Sequence, residues 1–317
     1  QLVSTATNSG YVAKYDSDGN FEWVDTQIPN SLFLNRSIDL TNDGVVLAAA
    51  FVNAATVGGV LWSGFGSSNE MVYTISSSGT VLDVAHVNDE DVSILFAEYL
   101  DGDIYLSYGY DGINDLSAFG SSIILTPDGS NTALVKIDTD LNYQSHYDMA
   151  SPNYVYLRSC SKNRYGDLVL TGSYEDTLSF PNAGLLDTLI SDLGTTFVLR
   201  VDTSFTLASA VQMYTTSGLS YLTRAKVFDD LVIMDHISNG DITYDFSGDS
   251  SATIYTHEDD FGFGFYEYIN DITSPCFEED SLGVVTFYPV ITMPNDTNIC
   301  VLGDSIDFAS GVSSISM

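Results

Sequence analysis

Two short stretches carry side-chain oxygens at every second position, which is the order of the first ligands in a calcium loop. They are Asp16, Asp18 and Asn20 in the first stretch, and Asp138, Asp140 and Asn142 in the second. The bidentate glutamate that completes such a loop is absent, because Gln27 and Met149 occupy its position. Asp, Asn and Gly also dominate hairpin turns for backbone reasons alone. Each stretch is therefore either a weak calcium site or a turn, and we expect no other cofactor.

Clustered carboxylates are the second candidate for chemistry. Asp89-Glu90-Asp91 and the pair Asp259-Asp260 would supply the acid and base of a glycosidase if two carboxyl groups stood at the required separation. Neighbouring carboxylates in loops are more often solvated charge, and the sequence does not give their separation. The histidines show no zinc spacing, and no GxSxG motif or P-loop occurs. We therefore expect no catalytic residues and a protein that is not an enzyme.

The three cysteines are too few for a disulfide scaffold. Cys276 and Cys300 lie in one terminal segment and are the candidate disulfide. Cys160 is expected to be a buried thiol.

The charge of the chain is strongly lopsided, with 43 acidic and 9 basic residues and a net charge of −34. Nucleic acid and anionic membranes would be repelled, so neither is expected as a partner. Cations, a basic partner or a saline exterior suit such a surface. No apolar run approaches the length of a transmembrane helix. The sequence begins at Gln1 without a signal-type segment, which fits a processed chain or a fragment.

The stretch that contains the first candidate loop recurs along the chain. Copies of residues 11–23 occur at 71–82, 133–143 and 197–207, and a fifth opens at 264–269. The spacings are 60, 62, 64 and 68 residues when counted from Tyr15, Ile75, Ile137, Val201 and Ile269. A nearly fixed period is the mark of a repeat protein. We expect Tyr15, Ile75, Ile137 and Val201 to occupy equivalent buried strand positions.

Each repeat contains two hairpin patterns and no segment with helical periodicity. Alternating residues lead into the turn at Asp16–Asn20, and a second hairpin follows around the turn at 41–44. Four strands and tight turns are typical of one β-propeller blade. The predicted fold is all-β: a propeller-like array of about four 60-residue, four-stranded blades over residues 1–270, with a short C-terminal β segment over 271–317.

The repeats resemble those of bacterial surface β-propellers, often called SBBP repeats after a seven-bladed propeller. The resemblance rests on Tyr11–Asp16 with Gly19-Asn20, on Gly166–Tyr174, and on the closing Phe180. It covers about residues 8–269. The family implies seven blades, whereas this chain has four complete and unusually long units.

The C-terminal stretch from Pro289 to Phe308 is similar to the opening of immunoglobulin-like or PKD-like repeats in surface adhesins of Bacteroidetes. A phrase such as Asn295-Asp296-Thr297 followed by Ile299-Cys300 and Gly303-Asp304-Ser305 carries this similarity. The match is too short for a complete sandwich, and it implies a longer native protein.

The two resemblances imply a secreted or cell-surface module that binds a surface glycan or a protein ligand without catalysis. Its mechanism would be recognition by loops on a rigid scaffold. Two alternatives remain open: a structural subunit that binds copies of itself in an extracellular filament or sheath, and a carbohydrate-active propeller enzyme.

Overall fold

The computed structural model describes residues 9–64, 68–127, 129–163, 165–180, 188–215, 220–228, 231–238, 242–246, 250–254, 260–267, 296–301, 304–309 and 312–313; at 191–193, 209, 211 and from 213 onward it describes the backbone alone. The chain divides into two compact units. The first comprises Gln1–Cys160 with Thr177–Ile190, and the second comprises Ser161–Asp176 with Ser191–Met317. The predicted boundary near residue 270 stays a prediction.

Strands make up almost all of the regular structure. In chain order they are β1 (Gly10–Tyr15), β2 (Phe21–Pro29), β3 (Phe33–Leu40), β4 (Gly44–Phe51), β5 (Ala54–Val57), β6 (Val60–Ser63), β7 (Asn69–Ser76), β8 (Val81–Val87), β9 (Val92–Leu100), β10 (Asp103–Tyr110), β11 (Asn114–Asp115), β12 (Ile124–Leu125), β13 (Ser130–Ile137), β14 (Tyr143–Ser151), β15 (Tyr154–Lys162), β16 (Leu168–Ser179), β17 (Thr188–Val201), β18 (Leu207–Thr215), β19 (Ser220–Phe228), β20 (Leu231–Ser238), β21 (Ile242–Phe246), β22 (Ser250–Ile254), β23 (Asp260–Glu267), β24 (Asp296–Val301), β25 (Asp304–Ala309) and β26 (Val312–Ser313). Within the described ranges, one 3₁₀ turn, Ser117–Phe119, interrupts them. The prediction of an all-β protein is confirmed.

The strands pair in antiparallel meanders. In the first unit, β3-β4-β7-β8 form one four-stranded sheet, here sheet 1, and β9, β10, β13 and β14 are neighbours in the same pattern, here sheet 2. The order β1-β2-β5-β6 forms a further small sheet. In the second unit, β17 pairs β18, and β19-β20-β23 form a three-stranded sheet. None of the described sheets closes on itself.

The sheets are out of phase with the sequence repeat, which corrects our expectation that one repeat makes one blade. Sheet 1 joins the second hairpin of the first repeat, β3-β4, to the hallmark hairpin of the next, β7-β8. Sheet 2 repeats this arrangement.

The burial of the strands agrees with this arrangement. The strand β4 is buried over Val45–Phe51, and β7 is buried over Asn69–Ile75. A continuous run of buried residues is typical of a strand in the interior of the protein, and β4 and β7 are the two central strands of sheet 1. The strands β3 and β8 mix buried and exposed residues, and they lie at the edges of the sheet.

The hallmark hairpins share one register. Tyr15 pairs Phe21, Ile75 pairs Val81, Ile137 pairs Tyr143, and Val201 pairs Leu207, each beside a bulge. Three of the four anchor residues are buried as expected, but Tyr15 is 55% exposed. It differs because β7 and β13 each have strand neighbours on both sides, whereas β1 pairs only β2 among the described residues.

The two ends of these sheets differ. Tight turns at 41–43 and 77–80 in sheet 1, and at 101–102 and 138–142 in sheet 2, lie at one end, here the turn end. The longer connections 52–68 and 111–129 lie at the other, here the loop end, because they join the second strand of each meander to the third. The loop end therefore carries the long connections within sheets 1 and 2 of the first unit.

The core of the first unit lies between layers. Val46, Ala48 and Val72 of sheet 1 pack with Ile94 and other buried residues of sheet 2. On the opposite face of sheet 1, Leu47 and Tyr73 pack with Val12 and the partly buried Trp23 of the β1–β2 hairpin.

The C-terminal segment contains strands, as predicted, in the three-stranded sheet β24-β25-β26. The proposed Cys276–Cys300 bond falls outside the described side chains and stays a prediction, whereas Cys160 is buried. Within the described part of the chain, no helix has the length and apolar character needed to cross a bilayer.

Candidate functional site

A cavity of about 380 Å³ opens at the loop end of the first unit, between the β8–β9 connection and the loop that follows β10. Polar side chains dominate its wall. The lining consists of His86, Val87, Asn88, Asp89, Ile113, Asn114, Asp115, Ser117 and Ala118. We call it the loop-end cavity. Amide, carboxylate and hydroxyl groups are suited to a ligand rich in hydrogen-bonding groups.

A buried hydrogen-bond chain fixes the two loops that form this cavity. The Tyr108 hydroxyl lies in the core and donates to Asn114 Oδ1, and Asn114 Nδ2 donates to Asp89 Oδ2. The other Asp89 oxygen accepts the N–H of Asp91 at 3.0 Å. Because Tyr108 is fully buried and Asn114 nearly so, the cavity wall is anchored to the core of sheet 2 and is preorganised for binding.

The charges at the cavity are held in defined states. Hydrogen bonds from Ser117 lower the pKa of Asp115, which stays a carboxylate. Burial raises the pKa of Tyr108, and the nearby Asp89 and Asp115 raise it further, so its hydroxyl remains a donor. Burial lowers the pKa of His86. The cavity is thus acidic, with Asp89 and Asp115 in its wall.

His86 occupies a repeat position whose equivalents are tied to tyrosines. Tyr110 donates to Asp148 Oδ1 at 3.2 Å, and Tyr174 donates to Gln212 Oε1 at 2.8 Å. In sheet 1 the corresponding aromatic residue is Phe51, whose ring centroid lies 5.3 Å from that of His86. Phenylalanine has no hydroxyl, and the buried Nε2 of His86 has no hydrogen-bond partner within the described structure.

The predicted calcium stretches form hairpin turns of one type. Asp16 Oδ1 accepts the N–H groups of Asp18 and Asn20 at 2.9 and 2.7 Å. Asp138 Oδ1 accepts those of Asp140 and Asn142 at 3.0 and 2.8 Å. The same hydrogen bonds join Asp202 to Ser204 and Thr206. The side-chain amide of Asn20 and then its backbone N–H lower the pKa of Asp16, and the backbone N–H of Thr206 is the main cause that lowers the pKa of Asp202. These contacts explain the recurring residues without a metal ion; calcium binding itself stays a prediction.

A second cavity, of about 320 Å³, lies at the turn end, here the turn-end cavity. Asp43, Asp83 and Asp140 are among its lining residues. Across the described ranges, no three His, Cys, Asp or Glu side chains converge closely enough to hold a metal ion.

The other candidate residues fall in different surroundings. Asp89 lines the loop-end cavity, whereas Asp259 lies outside the described residues and Asp260 begins β23. The aromatic residues Tyr105, Tyr108 and Phe119 are core residues. They therefore form part of the scaffold.

Sequence reasoning missed Asn114 and Asp115, and it did not connect His86 with them. The available signal was the length of the connection 111–129, which is much longer than the turns at the other end. Functional loops are often long connections on a rigid scaffold. In comparisons with known proteins, no family model and no curated protein matches this chain.

Proposed function

We propose that this protein is a secreted, cell-surface recognition module with propeller-like repeats, and that it binds a saccharide without catalysis. The loop-end cavity carries this proposal. Its wall combines hydrogen-bonding side chains with the aliphatic Ile113 and Ala118, and its volume lies at the small end of the range for ligand sites.

The charges favour some saccharides over others. Asp89 and Asp115 both line the cavity, and the chain carries a net charge of −34. Sulfated or uronic-acid glycans would be repelled by these groups. Neutral sugars and amino sugars are the expected ligands, since carboxylates accept hydrogen bonds from hydroxyl and ammonium groups.

The state of the carboxyl groups supports binding rather than hydrolysis. A glycosidase needs one carboxyl whose raised pKa lets it act as a general acid. Asp115 shows the opposite shift, and both Asp89 oxygens already accept hydrogen bonds. These observations favour recognition over the carbohydrate-active enzyme.

The test is a glycan-array screen followed by calorimetry on the ligands found. The variants Asp115→Ala and Asn88→Ala alter the loop-end cavity, and Asp83→Ala at the turn-end cavity is the matched control. We expect at least a tenfold loss of affinity, about 1.4 kcal/mol, in the first two and wild-type affinity in the control. Equal affinity in all variants would place the ligand elsewhere, and release of reducing sugar would identify an enzyme.

A further inference from the structure

Sheet 1 and sheet 2 show how one hairpin of this repeat covers the next sheet. Ser37 Oγ accepts the N–H of Ala97 at 2.8 Å, and Asp39 Oδ2 accepts the N–H of Tyr99 at 2.8 Å. Both pairs are 60 residues apart, which is one repeat. The hairpin β3–β4 thus covers β9, and Ala97 is fully buried.

The corresponding residues of β3 lie open. Ile38 pairs Leu47 and Leu40 pairs Val45, as Ala97 pairs Leu106 and Tyr99 pairs Ile104. Ile38 is 55% exposed and Leu40 is 75% exposed. They point to the face of sheet 1 that packs on Val12 and Trp23, since their partners Leu47 and Val45 belong to that core.

In the repeat, the hairpin β1–β2 corresponds to β7–β8, which are the third and fourth strands of sheet 1. Among the described residues, β1–β2 is not joined by a first and second strand like β3 and β4, and so this area stays uncovered. Its Trp23 Nε1 donates to Ser77 O at 2.9 Å, which places one end of the hairpin over the β7–β8 turn. Tyr11 O accepts from Asn35 Nδ2 at 3.5 Å, so the hairpin meets β3 near its beginning, before Ile38 and Leu40. Its strand β1 pairs only β2 among the described residues, whereas the equivalent β7 is also paired along its length by β4. The edge of β1 and the exposed pair Ile38 and Leu40 together form what we call the open position.

We infer that the open position binds a β-hairpin of the same repeat type, supplied by a protein segment that resembles β3–β4. Its second strand would extend the sheet at β1, as β4 extends the sheet at β7. Its first strand would cover Ile38 and Leu40. A serine and an aspartate on that strand would accept backbone N–H groups of β3, as Ser37 and Asp39 accept those of β9. Strand addition supplies main-chain hydrogen bonds, and the side-chain pattern supplies specificity.

The probe is a fluorescently labelled peptide with the sequence of residues 31–52 of this chain, followed by anisotropy with the full protein. We expect saturable binding, and the change Ile38→Glu in the protein should weaken this binding at least tenfold. The control is Ile124→Glu on β12, which changes an isoleucine of similar exposure, 64%, and leaves binding unchanged. A peptide with alanine for both Ser37 and Asp39 is expected to bind several-fold more weakly.

A protein that lacks residues 1–8 is measured beside the full chain, since that segment precedes β1. Stronger binding after its removal supports the open position as the site. Absence of binding in both proteins, or equal binding to Ile38→Glu, overturns the inference. Sedimentation of the protein alone tests whether a second copy occupies the open position. If the protein forms a dimer that Ile38→Glu dissociates, and the peptide does not bind, the open position is a contact between two copies. That result would overturn the hairpin as its occupant.

Discussion

At the scale of single residues, Phe51 and His86 form a contact that recurs in the other repeats, but here the contact lacks one hydroxyl group. The equivalent tyrosines Tyr110 and Tyr174 each donate to the side chain that corresponds to His86. The repeat therefore predicts which atom sheet 1 lacks, and where it would lie.

We expect Phe51→Tyr to raise the free energy of unfolding by about 1 kcal/mol, because the new hydroxyl would pair with the buried His86 ring. Tyr110→Phe is the reciprocal change and should lower it by a similar amount. Urea denaturation of both variants measures the effects. A loss of stability in Phe51→Tyr would mean that the site has no room for the hydroxyl.

Glu70 is the second residue whose surroundings predict a measurable effect. Its side chain is fully buried and lies 2.7 Å from Arg36. Burial raises its pKa to about 7, although Arg36 opposes that shift. The folded state therefore holds a proton that the unfolded state releases near pH 4.5.

Stability contributed by Glu70 should be present below pH 4.5 and fall as the pH rises toward 7, by up to about 3 kcal/mol. Urea midpoints at pH 5 and pH 7.5 test this, with Glu70→Gln beside the wild type. The glutamine variant should show a smaller difference between the two pH values. The exposed Glu22→Gln is the control, and an unchanged difference in Glu70→Gln would contradict the prediction.

At the scale of elements, the hallmark turns were predictable and the phase of the sheets was not. Turn residues act through their own backbone and side chains, so Asp16–Asn20 and Asp138–Asn142 identify hairpins from local sequence alone. Whether β4 pairs with β7 or with a strand of its own repeat depends on contacts far apart in the chain. The loop-end cavity depends on the same distant contacts, and so Asn114 and Asp115 carried no recognisable motif.

Two glycines in turns of the same type allow the energetic cost of backbone strain to be measured apart from the cost of overpacking. Gly19 and Gly79 have φ values of 82° and 87°, a region that costs other residues about 1 kcal/mol or more. A Cβ on Gly19 would meet nothing within 4 Å, whereas one on Gly79 would lie 2.7 Å from the Trp23 ring.

We therefore expect Gly19→Ala to cost about 1 kcal/mol and Gly79→Ala to cost about 1–3 kcal/mol more, because overpacking adds to the strain. Thermal and urea unfolding measure both variants, and Trp23 fluorescence should change only in the second. Equal losses of stability in the two variants would show that the β1–β2 hairpin can shift to make room for the added methyl group without a cost in free energy.

At the scale of the whole molecule, the net charge of −34 should make the fold sensitive to ionic strength. Screening of mutual repulsion stabilises the compact state. We expect the melting temperature to rise between 10 and about 500 mM NaCl. Calcium chloride at matched ionic strength then separates screening from specific binding.

The turn interpretation predicts no additional gain from calcium, and it predicts that Asp16→Ala is destabilising with or without the ion because Asp16 closes the turn. A calcium-specific rise in melting temperature that Asp18→Ala abolishes would instead support ion binding at Asp16, Asp18 and Asn20. The same comparison with Asp140→Ala tests the second stretch.

The offset between repeat and sheet has a consequence for how such a chain can lengthen. Duplication of one repeat, wherever its endpoints fall, adds the second half of one sheet and the first half of the next. Both halves meet partners identical in pattern to those they left, as β3–β4 meets β7–β8. Growth by whole repeats therefore requires no new interface. The increase in repeat length from 60 to 68 residues can be taken up in the connections without changing the strand pairings between repeats.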